Sequence, residues 1–230
     1  MTMSLFRRPI DMRASTTSRF SSLRAPAAIA GALFLGCVAA ALTFAHPAAA
    51  QENPASALRP PAGARVAIVE FDDLECPACA YANPILKGAA AKYRIPWVRH
   101  DFLIPAHNWS RNAAIYARWF DTRGKALGDE YRDQVFANQN YIYNPGMLSM
   151  FTQHFAQAHG IALPFDVDPQ NKLAAEVEAD DDLGKRLGIN QTPTIYIVMA
   201  GVKGPSYIQV HNPDKDLYSS IDQALAETRR

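Results

Sequence analysis

Two cysteines separated by two residues, Cys76 and Cys79, are the side chains of this sequence best suited to chemistry. Such a pair can bind zinc, form a structural bridge or exchange disulfides. A structural zinc site needs four nitrogen or sulfur ligands, and the sequence has neither a second cysteine pair nor histidines at the spacing of a metal motif, so no metal is expected. A disulfide that closes so short a loop stabilises little. The pair is therefore interpreted as one that opens and closes in thiol-disulfide exchange.

Exchange requires one thiol held as thiolate and a second thiol within reach of the mixed disulfide. The apolar run 65–71 predicts a buried central strand, and the stripe of apolar residues in 78–93 predicts a helix. Cys76 would then lie where unpaired N–H groups and the positive end of the helix dipole lower its pKa. Pro77 suits the first helical turn, where its missing N–H is not needed. Cys79, one turn further on, is predicted to be shielded and to act as the resolving thiol.

The remaining pattern predicts an α/β fold whose sheet is interrupted by helices. Residues 95–104 have extended character, and helical patterns follow at 109–120, 125–137, 147–159 and 171–187. Strand periodicity returns at 194–199 and 207–211, and a last helix is predicted at 216–227. This order implies one domain over 65–230 with a helical insertion at about 107–188, preceded by a flexible Pro- and Ala-rich lead-in at 51–64.

The motif Cys76-Pro77-Ala78-Cys79 at a strand-to-helix junction resembles the active site of thioredoxin-fold oxidoreductases, especially the DsbA-like periplasmic proteins. Pro84 lies five residues after the second cysteine, where thioredoxins have a proline in the active-site helix. The long helical insertion is also what separates DsbA-like proteins from plain thioredoxins. The resemblance therefore covers nearly all of the chain after residue 50, and it implies a thioredoxin-like fold with an α-helical insertion subdomain before the cis-proline loop.

The resemblance assigns roles to three further residues. Glu70, six positions before Cys76, matches a buried acid that accepts or relays the proton of the resolving thiol. Thr192 and Pro193 match the cis-proline loop, which packs against the cysteine pair and binds the substrate backbone; cis peptide bonds are essentially confined to proline. The resemblance thus implies catalytic roles for Cys76, Cys79 and Glu70, and substrate binding by Thr192 and Pro193.

Other polar and aromatic residues have structural interpretations. Asp72, Asp73 and Glu75 are predicted to be solvated loop carboxylates that oppose the thiolate and raise its pKa. The acidic run 176–182 is predicted to be a solvated helix face. Five aromatic residues are assigned to the core, although some could line a peptide-binding groove: Trp97, Trp109, Trp119, Tyr141 and Tyr143.

The first 50 residues have the features of a signal peptide. Five arginines precede an apolar run at 27–45, and Ala48-Ala49-Ala50 predicts cleavage after Ala50. An uncleaved anchor, lipidation at Cys37 and twin-arginine export are alternatives, and each also places the remaining chain outside the cytoplasm, with the periplasm as the expected location. The leader carries five of the 23 basic residues but only one of the 22 acidic residues, so the rest is mildly acidic and nucleic acid is not an expected partner.

The sequence therefore predicts an exported enzyme that forms disulfides in secreted or periplasmic proteins. Its expected partners are client proteins with cysteine thiols or disulfides and a membrane redox partner that recycles the pair, and no cofactor is expected. A periplasmic thiol reductant or a disulfide isomerase would use the same residues. A binding or chaperone-like module with this fold remains a non-enzymatic alternative.

Overall fold

A computed structural model of the chain describes residues 58–203 and 206–229. The signal peptide, its cleavage site, Cys37 and the first part of the lead-in lie outside these residues. The strands are β1 Val66–Asp72, β2 Trp97–Asp101, β3 Thr194–Met199 and β4 Tyr207–Val210. The helices are α1 Pro77–Tyr93, α2 Ser110–Asp121, α3 Lys125–Ala137, α4 Pro145–Ala158, α5 Lys172–Arg186 and α6 Pro213–Glu227, with a short 3-10 helix at Gln139–Tyr141.

The four strands form one mixed sheet in the order β2-β1-β3-β4. β1 runs parallel to β2 and antiparallel to β3, and β3 pairs antiparallel with β4. All seven residues of β1 are buried, which confirms the prediction of a central strand. Because both faces of this strand are covered, its two charged residues, Glu70 and Asp72, lie inside the protein.

Alternation along β1 divides the core into two layers. Ile68 and the residues that share its face pack against α1 and α6, where Leu86 and Ile221 are buried. Phe71 and the opposite face pack with Phe102 and with residues of α5. The sheet therefore lies between α1 and α6 on one side and α5 on the other.

Helices α2 to α5 form the insertion between β2 and β3, as the sequence predicted. They enclose an aromatic core in which the rings of Phe120, Tyr131 and Phe155 lie 4.7 to 5.2 Å apart. Cys76 and Cys79 belong to this same apolar cluster, so the insertion covers the cysteine pair. The mixed α/β fold with a helical insertion is confirmed. Among the described residues, no helix has both the length and the apolar character needed to cross a bilayer.

Candidate active site

Both cysteines lie at the N-terminal end of α1, as the sequence predicted. Cys76 is the N-cap residue with extended backbone angles, and Pro77 occupies the first helical turn. The Cys76 N–H donates to the carbonyl of Asp73 at 2.9 Å, which fixes the turn that leads from β1 into the helix. Both thiols are free, with Cys76 7% exposed and Cys79 fully buried. Of the two cysteines, only Cys76 is therefore exposed at all.

The environment of Cys76 favours its thiolate. A hydrogen bond from the Cys79 thiol is the largest cause that lowers the pKa of Cys76 to about 6. The Thr192 hydroxyl and the backbone N–H groups of Cys79 and Ala78 act in the same direction, and burial opposes them. The free N–H groups of the first helical turn thus point toward this sulfur, as the helix-terminus argument predicts.

The loop before β3 closes over the first cysteine. The Thr192–Pro193 peptide bond is cis, which confirms that prediction. The Cys76 thiol donates to the Thr192 carbonyl at 3.4 Å across 116 residues of sequence. The Thr192 Oγ1 atom is buried and has no hydrogen-bond partner among the described residues. The carbonyl accepts from the protonated thiol, whereas the unpartnered hydroxyl can donate to the thiolate and so lower the pKa of Cys76.

Cys79 has the opposite environment, because burial raises the pKa of its thiol far above the ordinary range. The hydrogen bond to Cys76 adds to this rise, and the charges of Asp72 and Glu70 follow as further causes. At neutral pH the second thiol is therefore protonated while the first is largely thiolate. This difference fits an attacking thiol and a shielded resolving thiol.

Glu70 is fully buried on the face of β1 that packs under α1. Its Oε2 accepts a hydrogen bond from Trp97 Nε1 at 3.0 Å, whereas Oε1 has no hydrogen-bond partner among the described residues. Burial raises the pKa of Glu70 to about 8, and the charge of Asp72 adds to the rise. The structure therefore places this acid in the interior near Cys79, at the position that the sequence suggested.

The prediction for Asp72, Asp73 and Glu75 was wrong, because these carboxylates are structural and not solvated. Asp72 and Asp73 are each 2% exposed. Asp73 accepts backbone N–H groups of Glu75 and Ile104, each at 2.8 Å, and lies 2.9 Å from His107 Nδ1. Glu75 accepts the N–H groups of Trp109 and Ser110 at 2.7 and 3.1 Å, which satisfies the first turn of α2. None of the three is a leading cause of the Cys76 pKa, which is lowered and not raised.

Two other structural interpretations were wrong in part. Within the acidic run, Asp181 is buried, and Asp180 bridges His100 at 2.8 Å and Arg118 at 2.6 Å. Among the five aromatic residues, Trp109 and Trp119 are core residues and Trp97 is half-buried. Tyr141 and Tyr143 are instead 71% and 69% exposed.

An open groove of about 310 Å³ begins beside the cysteine pair. One wall contains Ala78 and Tyr81 of α1, and the other contains the cis-proline loop. The start of α6 closes the far end, where the Tyr81 hydroxyl donates to Asp214. Thr192 and Pro193 therefore line both the cysteine pair and a cleft that could hold an extended chain.

Sequence reasoning missed two residues that contact this site. The Gln139 side-chain amide donates to the carbonyls of Leu74 and Cys76 at 2.8 and 3.1 Å, so it ties the insertion to the active-site turn. Arg99 contacts both buried acids and donates to Asn83 of α1 at 2.5 Å. The sequence did contain a signal for Arg99, because this arginine lies in a predicted strand that follows the strand containing Glu70. Nothing local to Gln139 indicated its contact.

Two buried sulfurs at a helix N-terminus, opposite a cis-proline loop, define a thioredoxin-type redox site. The chain belongs to the Thioredoxin family, whose family model matches residues 61–209. The fold agrees with that of the crystal structure of Wolbachia pipientis alpha-DsbA1, with a TM-score of 0.60 and 18% sequence identity. That match covers 74% of this chain and 91% of the Wolbachia chain. The expected DsbA-like form of the fold is confirmed.

Two curated relatives are similar at the sequence level. Disulfide bond formation protein D of Bacillus subtilis is 24% identical over 150 residues, which cover 58% of this chain and 64% of the relative. Na(+)/H(+) antiporter NhaA 3 of Salinispora tropica is 26% identical over 185 residues, which cover 75% of this chain but only 25% of the antiporter. The chain thus spans less than two thirds of the length of either relative.

Proposed function

We propose that this protein is an exported thiol-disulfide oxidoreductase that forms disulfides in secreted or periplasmic proteins. The observation that carries the proposal is the opposed protonation of two adjacent thiols at the cis-proline loop. The pKa of Cys76 is lowered to about 6, while burial raises that of Cys79. An attacking thiolate next to a protonated, inaccessible thiol is the arrangement that exchange chemistry requires.

In the oxidising direction, a client thiolate attacks the Cys76 sulfur of the Cys76–Cys79 disulfide. A new bond joins the client to Cys76, and the electron pair of the old bond leaves on Cys79, which takes up a proton. A second client thiolate then attacks the client sulfur of this mixed disulfide and releases Cys76 as a thiolate. The client loses two electrons and gains a disulfide, and the cysteine pair gains those two electrons.

The low pKa of Cys76 favours this direction. Stabilising the Cys76 thiolate stabilises the reduced pair and makes its disulfide a better oxidant. The value of about 6 lies between those of DsbA, about 3.5, and of thioredoxin, about 7. We therefore expect an intermediate to fairly oxidising pair.

Client proteins with cysteine thiols are the proposed substrates, and the groove beside the site offers them a docking surface. An extended client chain would lie along Thr192 and Pro193, with its cysteine against Cys76 and neighbouring side chains toward Tyr81 and Asp214. The name of the Bacillus relative supports a role in disulfide formation. A membrane redox partner that reoxidises the pair and a periplasmic location, reached through the signal peptide, complete the proposal.

The deciding experiment is the equilibrium reduction potential of the full-length chain in a glutathione buffer. A value of about −120 to −180 mV supports a disulfide donor, and a value near about −270 mV would make the protein a reductant. Isomerase activity on a client with scrambled disulfides would favour a disulfide isomerase over a disulfide donor. No exchange at any potential would favour a binding module.

Cysteine variants test the roles of the two thiols. Cys76→Ser should abolish exchange, because the attacking sulfur is lost. Cys79→Ser should accumulate mixed disulfides with clients in cells, because the thiol that resolves them is lost. A Cys79→Ser chain that traps no client would contradict the proposed function.

A further inference from the structure

Two buried carboxylates share one cation beneath the cysteine pair. Glu70 and Asp72 lie two residues apart on β1, so both side chains point to the face that packs under α1. Their side chains are 1% and 3% exposed, and the side chain of Arg99 is 9% exposed. Burying two like charges next to a single opposite charge is costly, and one acid of such a pair keeps its proton.

The contacts of Arg99 identify which acid is neutralised. In the parallel register, Arg99 lies directly opposite Glu70. Its guanidinium nevertheless donates to Asp72, with Nε 3.2 Å from Oδ2, while Nε lies 3.8 Å from Glu70 Oε2. Glu70 is left with one neutral donor, Trp97, and with Oε1 unpartnered among the described residues. Arg99 is therefore hydrogen-bonded to Asp72, although the strand register places it opposite Glu70.

Arg99 also contacts the helix that carries the resolving thiol, Cys79. Arg99 also donates to Asn83, which lies one helical turn after Cys79 and on the same face of α1. Asn83 in turn donates to Asp133 of α3 at 2.8 Å, and Asp133 contacts Lys87. The guanidinium is thus held between β1 and α1 in a position that favours Asp72.

The other charged groups around the two acids have their own partners. From β2, Asp101 is held by Arg118 at 2.6 Å. From α3, Arg132 is held by Asp121 at 2.6 Å, and its charge also lowers the pKa of Asp72. On β1's own side, Asp73 is held by backbone N–H groups and His107. From α1, the ionisable groups that act on Glu70 and Asp72 are the two cysteines.

We propose that Asp72, by holding Arg99, keeps Glu70 protonated at neutral pH, so that Asp72 is the positioning residue that makes a proton available to Cys79. When the Cys76–Cys79 bond breaks, the Glu70 carboxyl gives its proton to the Cys79 thiolate. The carboxylate left behind then regains a proton from solvent, because the fold favours the protonated form of Glu70 at neutral pH. The proton transfer to Cys79 rests on the proposed function, whereas the protonation of Glu70 does not.

The test is the titration of Glu70 in the reduced full-length chain, followed by infrared spectroscopy of its carboxyl group and assigned with Glu70→Gln. In Asp72→Asn, the guanidinium is free to pair with Glu70, and the pKa of Glu70 should fall by about 1 to 3 units. In Arg99→Met, the cation is lost, and the pKa of Glu70 should rise. Structural damage that admits water would lower the pKa in both variants.

Matched variants complete the design. Asp72→Glu keeps the carboxylate and should keep Glu70 protonated. Asp101→Asn removes a buried charge held by Arg118 and should leave the titration of Glu70 close to that of the wild type. If Asp72→Asn does not fold, Asp72→Ser makes the same measurement.

A second readout is the pH profile of mixed-disulfide resolution, whose alkaline limb should move to lower pH in Asp72→Asn. An unchanged or higher pKa of Glu70 in Asp72→Asn, or shifts of the same sign in Asp72→Asn and Arg99→Met, would overturn the proposal. A chain without exchange activity whose Glu70 titrates as expected would refute the proposed function alone.

Discussion

Replacing Thr192 by valine should raise the pKa of Cys76. Valine keeps the branched shape of threonine and the backbone carbonyl, and it removes only the hydroxyl group. That hydroxyl is buried, has no hydrogen-bond partner among the described residues, and is one of the groups that lower the pKa of Cys76. Its loss leaves the sulfur with the hydrogen bonds from Cys79 and from the first helical turn. The pKa should therefore rise but remain below that of a free thiol.

The size of the effect follows from the energy of one hydrogen bond. A hydrogen bond to a charged group contributes about 1.5 to 3 kcal/mol, and one pKa unit corresponds to about 1.4 kcal/mol. The pKa of Cys76 should therefore rise by about one to two units from its value of about 6. At pH 7 the thiolate fraction would fall from about nine-tenths to between about a half and a tenth. At pH 7 the reduction potential should become more negative by about 20 to 30 mV, because the loss is limited to the thiolate stabilisation that exists at that pH.

The assay is the ultraviolet absorbance of the thiolate as a function of pH, with the alkylation rate of Cys76 as a second measure. Thr192→Ser keeps the hydroxyl and should stay close to the wild type. Thr194→Val is the matched control, because its hydroxyl donates to the carbonyl of Gln191 and not to the sulfur. A pKa of Cys76 that is unchanged or lower in Thr192→Val would refute the reasoning.

Three further predictions test the surroundings of the site. The pKa of Glu70 is raised from 4.5 to about 8 by burial, so its contribution to stability is lost as pH rises between these values. Between pH 6 and 8 the wild type should lose about 2 kcal/mol of unfolding free energy relative to Glu70→Gln in the same redox state. Parallel curves in urea unfolding would contradict this. Gly184→Ala should destabilise the fold by about 1 to 3 kcal/mol, because a Cβ there would overlap the ring of Phe102. Gly88→Ala should not destabilise it, because the Cβ would meet the Tyr218 hydroxyl oxygen at an ordinary 3.7 Å and no other atom of the described residues within 4 Å. Gln139→Ala should lower the free energy of unfolding by about 1 to 3 kcal/mol, because the carbonyls of Leu74 and Cys76 lose a hydrogen-bond donor. Equal stability of the variant and the wild type in urea would contradict this.

Local sequence was sufficient to predict most elements and the central motif. The bounds of α3 and β3 agree with the predicted 125–137 and 194–199, because hydrophobic periodicity and flanking turn residues lie within each segment. The Cys-Pro-Ala-Cys motif fixed Cys76 at a helix N-terminus, because proline at the next position suits the first turn. The proline of the cis bond was also identifiable, since cis bonds are essentially confined to proline.

The environment of each polar side chain depended on residues distant in the sequence. Asp73 and Glu75 looked like loop carboxylates, but backbone N–H groups near Ile104 and Trp109 fold back onto them. Tyr141 and Tyr143 have apolar rings like those of the core, yet the packing of the insertion leaves them in solvent.

By itself, the sequence determined which residues could carry redox chemistry and the elements on which they lie, because residue type, periodicity and turn propensity are local properties. Only the tertiary structure decided which carboxylate accepts from Arg99, and that the Cys76 thiol donates to the Thr192 carbonyl. These contacts join residues 27 and 116 positions apart. No local sequence pattern indicates which of several possible partners a side chain will contact, because those partners meet only in the packed core.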